Sequence, residues 1–272
     1  MHGNMTGVVA TLLFSIATMA LLLADLSLAS AEGIGHLEFN YSDPWKWGSI
    51  SPQFALCSTG KRQSPINIIH SRVIVHKGLT PLSTYYHLDN ATLLNTGLSI
   101  KEQVKGRSAF VIGGKTYKLM QVHWHTPSEH RLNGVQYPTE LHQVHQAEDG
   151  SRAVVGILYK YGKPDALVEK IQPHLKALAD KDCGDHARDE IFLRRFNNRA
   201  LNRKPRKYYR YVGSLTTPPC DENVIWTVMA KVKTMSSKQV AALSGTLCAL
   251  NKRNSRPVQP LNDRKVHFYK GH

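Results

Sequence analysis

The stretches QVHWHTPSEH (Gln121–His130) and ELH (Glu140–His142) are the most informative part of this chain for predicting its fold and its candidate functional site. Successive side chains of a β-strand point to opposite faces, so His123 and His125 share one face about 7 Å apart. Between the two stretches, Asn133-Gly134 is typical of a tight hairpin turn, which would bring the next strand back antiparallel. The histidine of the second stretch then lies opposite the first pair. The pattern predicts three imidazoles that converge from two adjacent strands.

This convergence is typical of a catalytic zinc site. Three neutral imidazoles, here His123, His125 and His142, can bind zinc and leave a fourth position open. Gln121 shares a strand face with the first pair and Glu140 with the third histidine, so each could accept a ring N–H from a ligand. The alternative is an incidental cluster, since the chain has 14 histidines. Those without a comparable grouping are interpreted as ordinary polar residues: His36, His70, His76, His87, His130, His145, His174, His186, His267 and His272.

Short β-type runs separated by turn residues fill most of the chain after residue 32. Phe110–Ile112 and Thr116–Met120 flank Gly113-Gly114-Lys115 as the arms of a hairpin do. Ala153–Tyr159 and Val224–Met229 are continuous apolar runs, which predicts strands buried on both faces. The chain contains no Pro/Gly/Ser-rich linker and no repeat, so one β-rich domain is expected.

Two segments have helical signals. Asp165 can cap a helix that Pro173 would interrupt, and Ser236-x-x-Gln239 resembles a capping box. The apolar side of the first helix is Leu167, Val168, Ile171, Leu175 and Leu178. These segments predict peripheral short helices on a mostly-β fold.

The first 31 residues differ in composition from the rest. Val8–Ala24 carries no charge, and small residues at Ala29 and Ala31 suit signal-peptidase cleavage. We expect a secretory signal over residues 1–31 and a catalytic domain over 32–272, with a permanent anchor as the alternative. The expected location is the secretory pathway, either extracellular (apoplastic) or an organelle reached by that route. Disulfides are then permitted, and Asn40 and Asn90 become candidate glycosylation sites.

The composition is that of a folded, basic protein. Of its 272 residues 42% are hydrophobic and 20% charged, which excludes a disordered chain, and the formal net charge is +15. Arg194–Arg210 holds eight Lys/Arg and no acid. This run is either a solvated loop or a docking segment for an anionic polysaccharide or a membrane surface. No nucleic-acid-binding module is recognisable, so nucleic acid is not an expected partner.

Several motifs in order closely resemble the α-class carbonic anhydrases, particularly their secreted plant branch. The resemblance runs from Tyr41 to about Phe268 and implies a single domain around a large twisted, mainly antiparallel central β-sheet. Its motifs are Arg62-Gln-Ser-Pro65, the Gln121–His145 block, Tyr208-Tyr-Arg-Tyr211, Ser214-Leu-Thr-Thr-Pro-Pro-Cys220, Trp226 and Arg256-Pro-Val-Gln-Pro-Leu-Asn262.

The resemblance implies a zinc enzyme that hydrates CO2 to bicarbonate and a proton by zinc-hydroxide attack. His123, His125 and His142 would hold the zinc, with Gln121 and Glu140 as their hydrogen-bond partners. In the implied catalytic pair, Thr216 would accept a hydrogen bond from the hydroxide and donate its own proton to Glu129. The residues implied to border the substrate are Val144, Val154, Leu215, Thr217 and Trp226.

One departure from the family pattern concerns proton release. The segment that typically reads Asn-x-Gly-His reads Asn95-Thr-Gly-Leu98 here, and leucine cannot carry a proton. The hydration step is expected to survive, with slower regeneration that external buffer rescues. Another histidine, of which His36 is one candidate, could substitute.

The four cysteines are interpreted through the same resemblance. Cys57 and Cys220 match the family's disulfide, whereas Cys183 and Cys248 lie outside its pattern and could form a second bridge or two free thiols.

Two other functions compete with an active zinc lyase. One is a weakly active or inactive relative that serves in storage, defence or binding, and the other is a basic adhesive module built on the enzyme fold. The intact histidine triad argues against the first, while Leu98 leaves it open.

Overall fold

A computed structural model describes residues 39–179, 190–197, 201 and 207–271. All of them belong to one compact unit that begins at Phe39. The predicted signal segment, His36, His186, Cys183 and the middle of the basic run lie outside the described residues. Within the described part of the chain, no helix is long and apolar enough to cross a membrane.

The described residues form mostly strands, as the sequence predicts. In chain order they are β1 (Asn67–Ile68), β2 (Ile74–Val75), β3 (Ser83–Tyr85), β4 (Leu88–Asn95), β5 (Ile100–Lys105), β6 (Ala109–Ile112), β7 (Lys115–His125), β8 (Arg131–Leu132), β9 (Val135–Gln136), β10 (Thr139–Gln146), β11 (Arg152–Tyr161), β12 (Glu190–Asn197), β13 (Tyr208–Ser214), β14 (Glu222–Met229), β15 (Lys233–Met235) and β16 (His267–Tyr269).

The helices are few and short. They are α1 (Trp47–Ile50), α2 (Leu56–Thr59), α3 (Ala166–Leu175) and α4 (Ser237–Gly245), with 3-10 turns at Pro44–Lys46, Pro52–Phe54, His70–Arg72 and Ala249–Asn251.

Thirteen of the described strands form one large sheet. Its main path runs β12-β4-β5-β7-β10-β11-β14-β13-β16-β2, with β3, β6 and β15 attached beside it. Most pairings are antiparallel, and the parallel ones join β11 to β14, β11 to β15 and β16 to β2. The predicted mostly-β fold with a mainly antiparallel central sheet is confirmed. Strands β7 and β10 are neighbours in the middle of this sheet.

Two tight turns lie before and after β7 in the chain. Ile112 pairs with Lys115, so Gly113 and Gly114 form a two-residue turn, and both have positive φ (57° and 82°). Such a turn requires φ above zero at both positions, which glycine adopts without steric cost. Asn133 (φ 51°) and Gly134 (φ 82°) make the same kind of turn between β8 and β9. The Gly113-Gly114 hairpin is confirmed. Asn133-Gly134 is a tight turn as predicted, but it joins β8 to β9 in a separate three-stranded sheet and does not join β7 to β10 directly.

The large sheet is covered on both faces. One face packs on a core that includes Phe110, Leu141 and Val168, and the other packs on a core that includes Val154 and Trp226. This double coverage explains the continuous apolar runs in β11 and β14, since a strand buried on both faces has no solvent-facing position.

The two predicted helix caps are confirmed, but one prediction about α3 is wrong. The Asp165 side chain accepts the N–H groups of Leu167 and Val168 at the start of α3, and Ser236 and Gln239 form a complete capping box at α4. The expected interruption at Pro173 is wrong, because α3 continues to Leu175. A proline so near the end of the helix removes a hydrogen bond only in the last turn.

The basic run is also corrected. Arg194–Arg210 is not one loop, because residues 194–197 belong to β12 and residues 208–210 to β13. Phe196, Tyr208 and Tyr209 are buried, and these aromatic side chains anchor both ends of the run in the sheet.

Candidate metal centre

His123, His125 and His142 lie together on one face of the large sheet. His142 pairs with His123 across β10 and β7, and Glu140 pairs with His125. The ring centroids are 4.9 Å apart for His123 and His125, 5.2 Å for His123 and His142, and 4.6 Å for His125 and His142. One nitrogen from each ring lies within 4.8 Å of the others, a spacing that a metal ion could bridge.

Each ring has one nitrogen held by a hydrogen bond. Nδ1 of His123 lies 3.0 Å from Oε1 of Gln121, and Nε2 of His142 lies 2.9 Å from Oε1 of Glu140. These are the two partners that strand parity predicts. Nδ1 of His125 lies 2.6 Å from the backbone carbonyl of Asn254, a partner that sequence reasoning missed.

The second nitrogen of each ring is what remains for a metal. Nε2 of His125 is buried and has no hydrogen-bond partner. A buried ring nitrogen without a partner is costly unless something else binds it. The outer hydrogen bonds fix each ring's orientation, as bonds behind metal ligands do. The residues present therefore fit a zinc ion with three imidazole ligands.

The electrostatics favour neutral imidazoles. Burial, aided by His125, His142 and the Lys101 ammonium, lowers the pKa of His123 well below its ordinary value. Burial lowers the pKa of His125 to about 4, and it lowers that of His142 despite the attraction of Glu140. Neutral rings are the form that binds a metal, so protons do not compete at neutral pH. Sequence analysis did not identify Lys101, which faces His123 from β5.

Glu140 supports more than one histidine. Oε1 accepts hydrogen bonds from His142 and from Nδ1 of His130, while Oε2 accepts the backbone N–H groups of Glu129 and His130. Burial alone would raise the pKa of Glu140, but its contacts with His130 and His142 hold it well below the usual range. Interpreting His130 as an ordinary polar residue is wrong, because Nε2 of this buried ring also contacts the Tyr211 hydroxyl at 2.7 Å.

Glu129 lies directly beside the triad. Its Oε1 accepts the backbone N–H of Arg256 at 2.9 Å, and its Oε2 lies 3.5 Å from Nε2 of His125 and 3.8 Å from Nδ1 of His142. Burial raises the pKa of Glu129 to about 7, against the lowering influence of His142, the Thr216 hydroxyl and the Arg256 amide. The buried Thr216 hydroxyl forms a hydrogen bond with Glu129, so the two residues predicted as the catalytic pair are in contact.

Asn254 and Arg256, in a segment near the C-terminus, hold the backbone around the site through hydrogen bonds. The Asn254 amide donates to the carbonyls of Leu98 and Trp124, and its oxygen accepts the N–H of Thr126. The Arg256 guanidinium donates to Oε1 of Gln63 and to two backbone carbonyls. The quoted motifs Arg62–Pro65 and Arg256–Asn262 are thus joined in space, which no local pattern in the sequence indicates.

The predicted apolar wall lies on the same face. Val144 pairs with Val154, and Val154 pairs with Trp226, in a row two residues along from His142. Leu215 packs on the same cluster, and Thr217 lies in the loop that follows β13. Hydrogen bonds from Leu215 to Asp221 and from Cys220 to Thr217 close this loop. The structure therefore brings four of the five predicted pocket residues, Val144, Val154, Leu215 and Trp226, to the triad's side of the sheet.

Leu98, at the position where the family pattern has histidine, packs on aromatic residues near the start of the described chain. It contacts the cluster of Tyr41, Trp47, Phe54 and the Cys57–Cys220 disulfide.

The remaining predicted sites are spread over the molecule. Cys57 and Cys220 are joined as the resemblance implies, and Cys248 is also disulfide-bonded, which excludes its free-thiol alternative. Asn90 is exposed on β4, and Asn40 is half-buried with its side chain hydrogen-bonded to Ser42.

Comparison with known proteins agrees with this geometry. A family model for eukaryotic-type carbonic anhydrase matches residues 42–270. Alpha carbonic anhydrase 5 of Arabidopsis thaliana is 40% identical over 240 residues, which cover 85% of each chain. A dioscorin complexed with ascorbate superposes with a TM-score of 0.82 at 34% identity, covering 86% of this chain and 99% of that one. The α-carbonic anhydrase of Thermovibrio ammonificans complexed with sulfanilamide gives 0.76 at 38% identity, covering 86% and 100%.

Proposed function

The chain belongs to the eukaryotic-type carbonic anhydrase family, and from this premise we propose that it is an active zinc enzyme that converts CO2 reversibly to bicarbonate and a proton. The observation that carries the proposal is the triad His123, His125 and His142. Each ring is oriented by one hydrogen bond, and the three remaining nitrogens converge within 4.8 Å.

The triad would hold zinc through Nε2 of His123, Nε2 of His125 and Nδ1 of His142, the nitrogens not used by the outer hydrogen bonds. When bound there, zinc acts as a Lewis acid and lowers the pKa of its bound water to about 7, as is known for carbonic anhydrases generally.

Glu129 and Thr216 are proposed to orient the reacting oxygen. Glu129 acts here in its ionised form, which the Arg256 amide and the Thr216 hydroxyl stabilise against the burial that raises its pKa to about 7. A carboxylate can only accept hydrogen bonds. The Thr216 hydroxyl would therefore donate to Glu129, so its oxygen must accept from whatever binds in front of it. This arrangement selects ligands that carry a donor hydrogen.

The apolar wall is proposed to hold CO2. Val144, Val154 and Trp226 offer no hydrogen-bonding group to the site, since the Trp226 indole N–H already donates to the Ser214 carbonyl. An apolar surface beside the triad suits a small uncharged substrate and does not hold a charged product.

Proton release is proposed to be the slow step, because Leu98 has no titratable group. Stopped-flow CO2 hydration on the purified zinc-loaded protein, in weak and in strong imidazole buffer at fixed pH, tests this. We expect turnover to rise with buffer by roughly tenfold or more. Leu98→His should raise turnover in weak buffer only, whereas the matched control Leu98→Gln should not. Fast turnover that is insensitive to buffer would contradict slow proton release.

The likeness to dioscorin, whose structure holds ascorbate, supports a binding role as the second candidate function. Zinc content and activity distinguish the two. One zinc per chain with robust hydration supports the enzyme, whereas one zinc per chain without hydration would favour the binding role.

A further inference from the structure

Strand β12 forms one edge of the large sheet. Within the described part of the chain it pairs only with β4, at the end of the main strand path. The row of backbone N–H and C=O groups along its other side therefore has no strand partner among the described residues. Such an edge is a template on which another strand can pair, with every hydrogen bond supplied by the backbone.

The two faces of β12 differ in their side chains. Ile191 and Leu193 are partly buried and pack against the core on one side of the sheet. Phe192 points to the other face, where 63% of its surface is exposed. Alternation places Glu190 and Arg194 on the same face as Phe192, and both are exposed. This face therefore presents an aromatic ring with an acid two residues before it and a base two residues after it.

This pattern is complementary to itself in one antiparallel register. With Phe192 opposite Phe192 of a second copy, Glu190 of each copy lies opposite Arg194 of the other. On the core side, Ile191 then lies opposite Leu193, so apolar side chains also meet. A slip of two residues would place a charge opposite the aromatic ring. A slip of one residue would bring the core-facing side chains of one copy to the exposed face of the other.

We propose that two copies of this chain associate through β12, edge to edge and antiparallel, with Phe192 opposite Phe192. The partner is a second copy because the charges and the apolar side chains of β12 complement the same strand reversed. The contact is isologous, so each charge pair forms twice and the assembly closes at the dimer. A bulge between Leu193 and Phe196 ends the regular part of the strand, so the contact is short and the dimer is expected to be weak.

Sedimentation equilibrium of the zinc-loaded protein over a wide concentration range tests the proposal. We expect a single, concentration-dependent equilibrium between monomer and dimer. Glu190→Arg should weaken dimerisation at least about tenfold, because both attractive pairs become pairs of like charges directly opposite each other. Arg194→Glu should weaken it to a similar extent. The control Arg72→Glu reverses an exposed charge beside β2, at the opposite edge of the sheet, and should change dimerisation less than about twofold.

Mixing the two variants tests the register itself. Glu190→Arg presents two bases on the exposed face of β12, and Arg194→Glu presents two acids. Each variant should therefore pair with the other and not with itself, which sedimentation of the mixture and of the separate proteins distinguishes. The double variant Glu190→Arg/Arg194→Glu exchanges the two charges and should regain the dimerisation of wild type within about threefold.

Three results would overturn the proposal: a protein that stays monomeric at every concentration, assembly beyond the dimer, or single variants that dimerise as wild type does. Hydrogen exchange gives a second readout, since the β12 amides should exchange more slowly in the dimer, and protection confined to another surface would also contradict the proposal. Any N-linked glycan is removed first, because Asn90 accepts the Arg195 N–H beside this edge. CO2 hydration should be equal in all variants, so failure of the dimer and failure of the proposed zinc chemistry are distinguishable.

Discussion

The central sheet carries the triad of histidines on one face and a single buried histidine, His145, on the other, and of these two sites only the triad has ring nitrogens left for a metal. On one face, His123, His125 and His142 each have a single hydrogen-bonded nitrogen. On the other face, both nitrogens of His145 have partners: Nδ1 lies 3.2 Å from the carbonyl of Ala153, and Nε2 lies 2.9 Å from the Tyr86 hydroxyl. Burial lowers the pKa to about 4 for His125 and for His145 alike. Burial and pKa therefore do not identify a metal site, whereas the unpaired nitrogen does.

The largest effect should come from replacing one histidine of the triad, compared with replacing His145. His142→Gln should abolish stoichiometric zinc binding and lower CO2 hydration by more than about a hundredfold, since loss of a ligand exceeds the 10- to 100-fold effect of losing a supporting partner. His145→Gln should leave both unchanged and cost about 1–3 kcal/mol of unfolding free energy through its unpaired neighbours. Zinc analysis, stopped-flow kinetics and urea denaturation measure these. Zinc loss in His145→Gln would show that the triad and His145 are not independent.

The next prediction concerns Glu140, the hydrogen-bond partner that orients His142 in the triad. Glu140→Gln replaces an acceptor of four hydrogen bonds with a group that has one acceptor oxygen, so His142 and His130 lose their shared carboxylate. We expect zinc affinity to fall about a hundredfold, at the upper end for a partner of this kind. Competition with a chelator of known affinity measures the change. An affinity within twofold of wild type would mean that His142 does not depend on Glu140.

Much of this comparison is predictable from sequence, but the closing contacts are not. Strand parity correctly places Gln121 with His123 and Glu140 with His142, because period-two alternation and hairpin turns are local. It fails for His125, whose partner is a backbone carbonyl 129 residues away, at Asn254. The path of that segment depends on tertiary packing.

The same limit explains the histidines that sequence analysis treats as ordinary. His130 and His145 are buried and fully bonded through Tyr211 and Tyr86, which lie on distant strands or loops. Alternation assigns a face to each ring but does not indicate what covers that face. The parallel pairing of β11 with β14 is likewise not predictable from the sequence, because neither apolar run contains a local signal of which strand lies beside it.

Acidification should reveal the contribution of His145 as a smaller change in the free energy of unfolding. The folded pKa of His145 is about 4, below its ordinary 6.5, so its stabilising contribution is full above pH 6.5 and is lost as the pH falls towards 4. Between pH 7 and pH 5 this histidine should cost wild type about 2 kcal/mol of unfolding free energy. His145→Gln should lose that much less over the same interval in urea denaturation. Equal losses in both proteins would place the acid sensitivity elsewhere.

The smallest effect is expected at Gln121, the partner of His123 that is partly exposed to solvent. Gln121 is only half-buried, so in Gln121→Ala a water molecule can replace its amide oxygen at Nδ1 of His123. Zinc affinity should fall about tenfold or less, at the lower end for a supporting partner. The same chelator competition measures it beside Glu140→Gln. A loss as large as that of the buried carboxylate would mean that the charge and burial of the partner do not set its importance, and that orientation of the ring alone does.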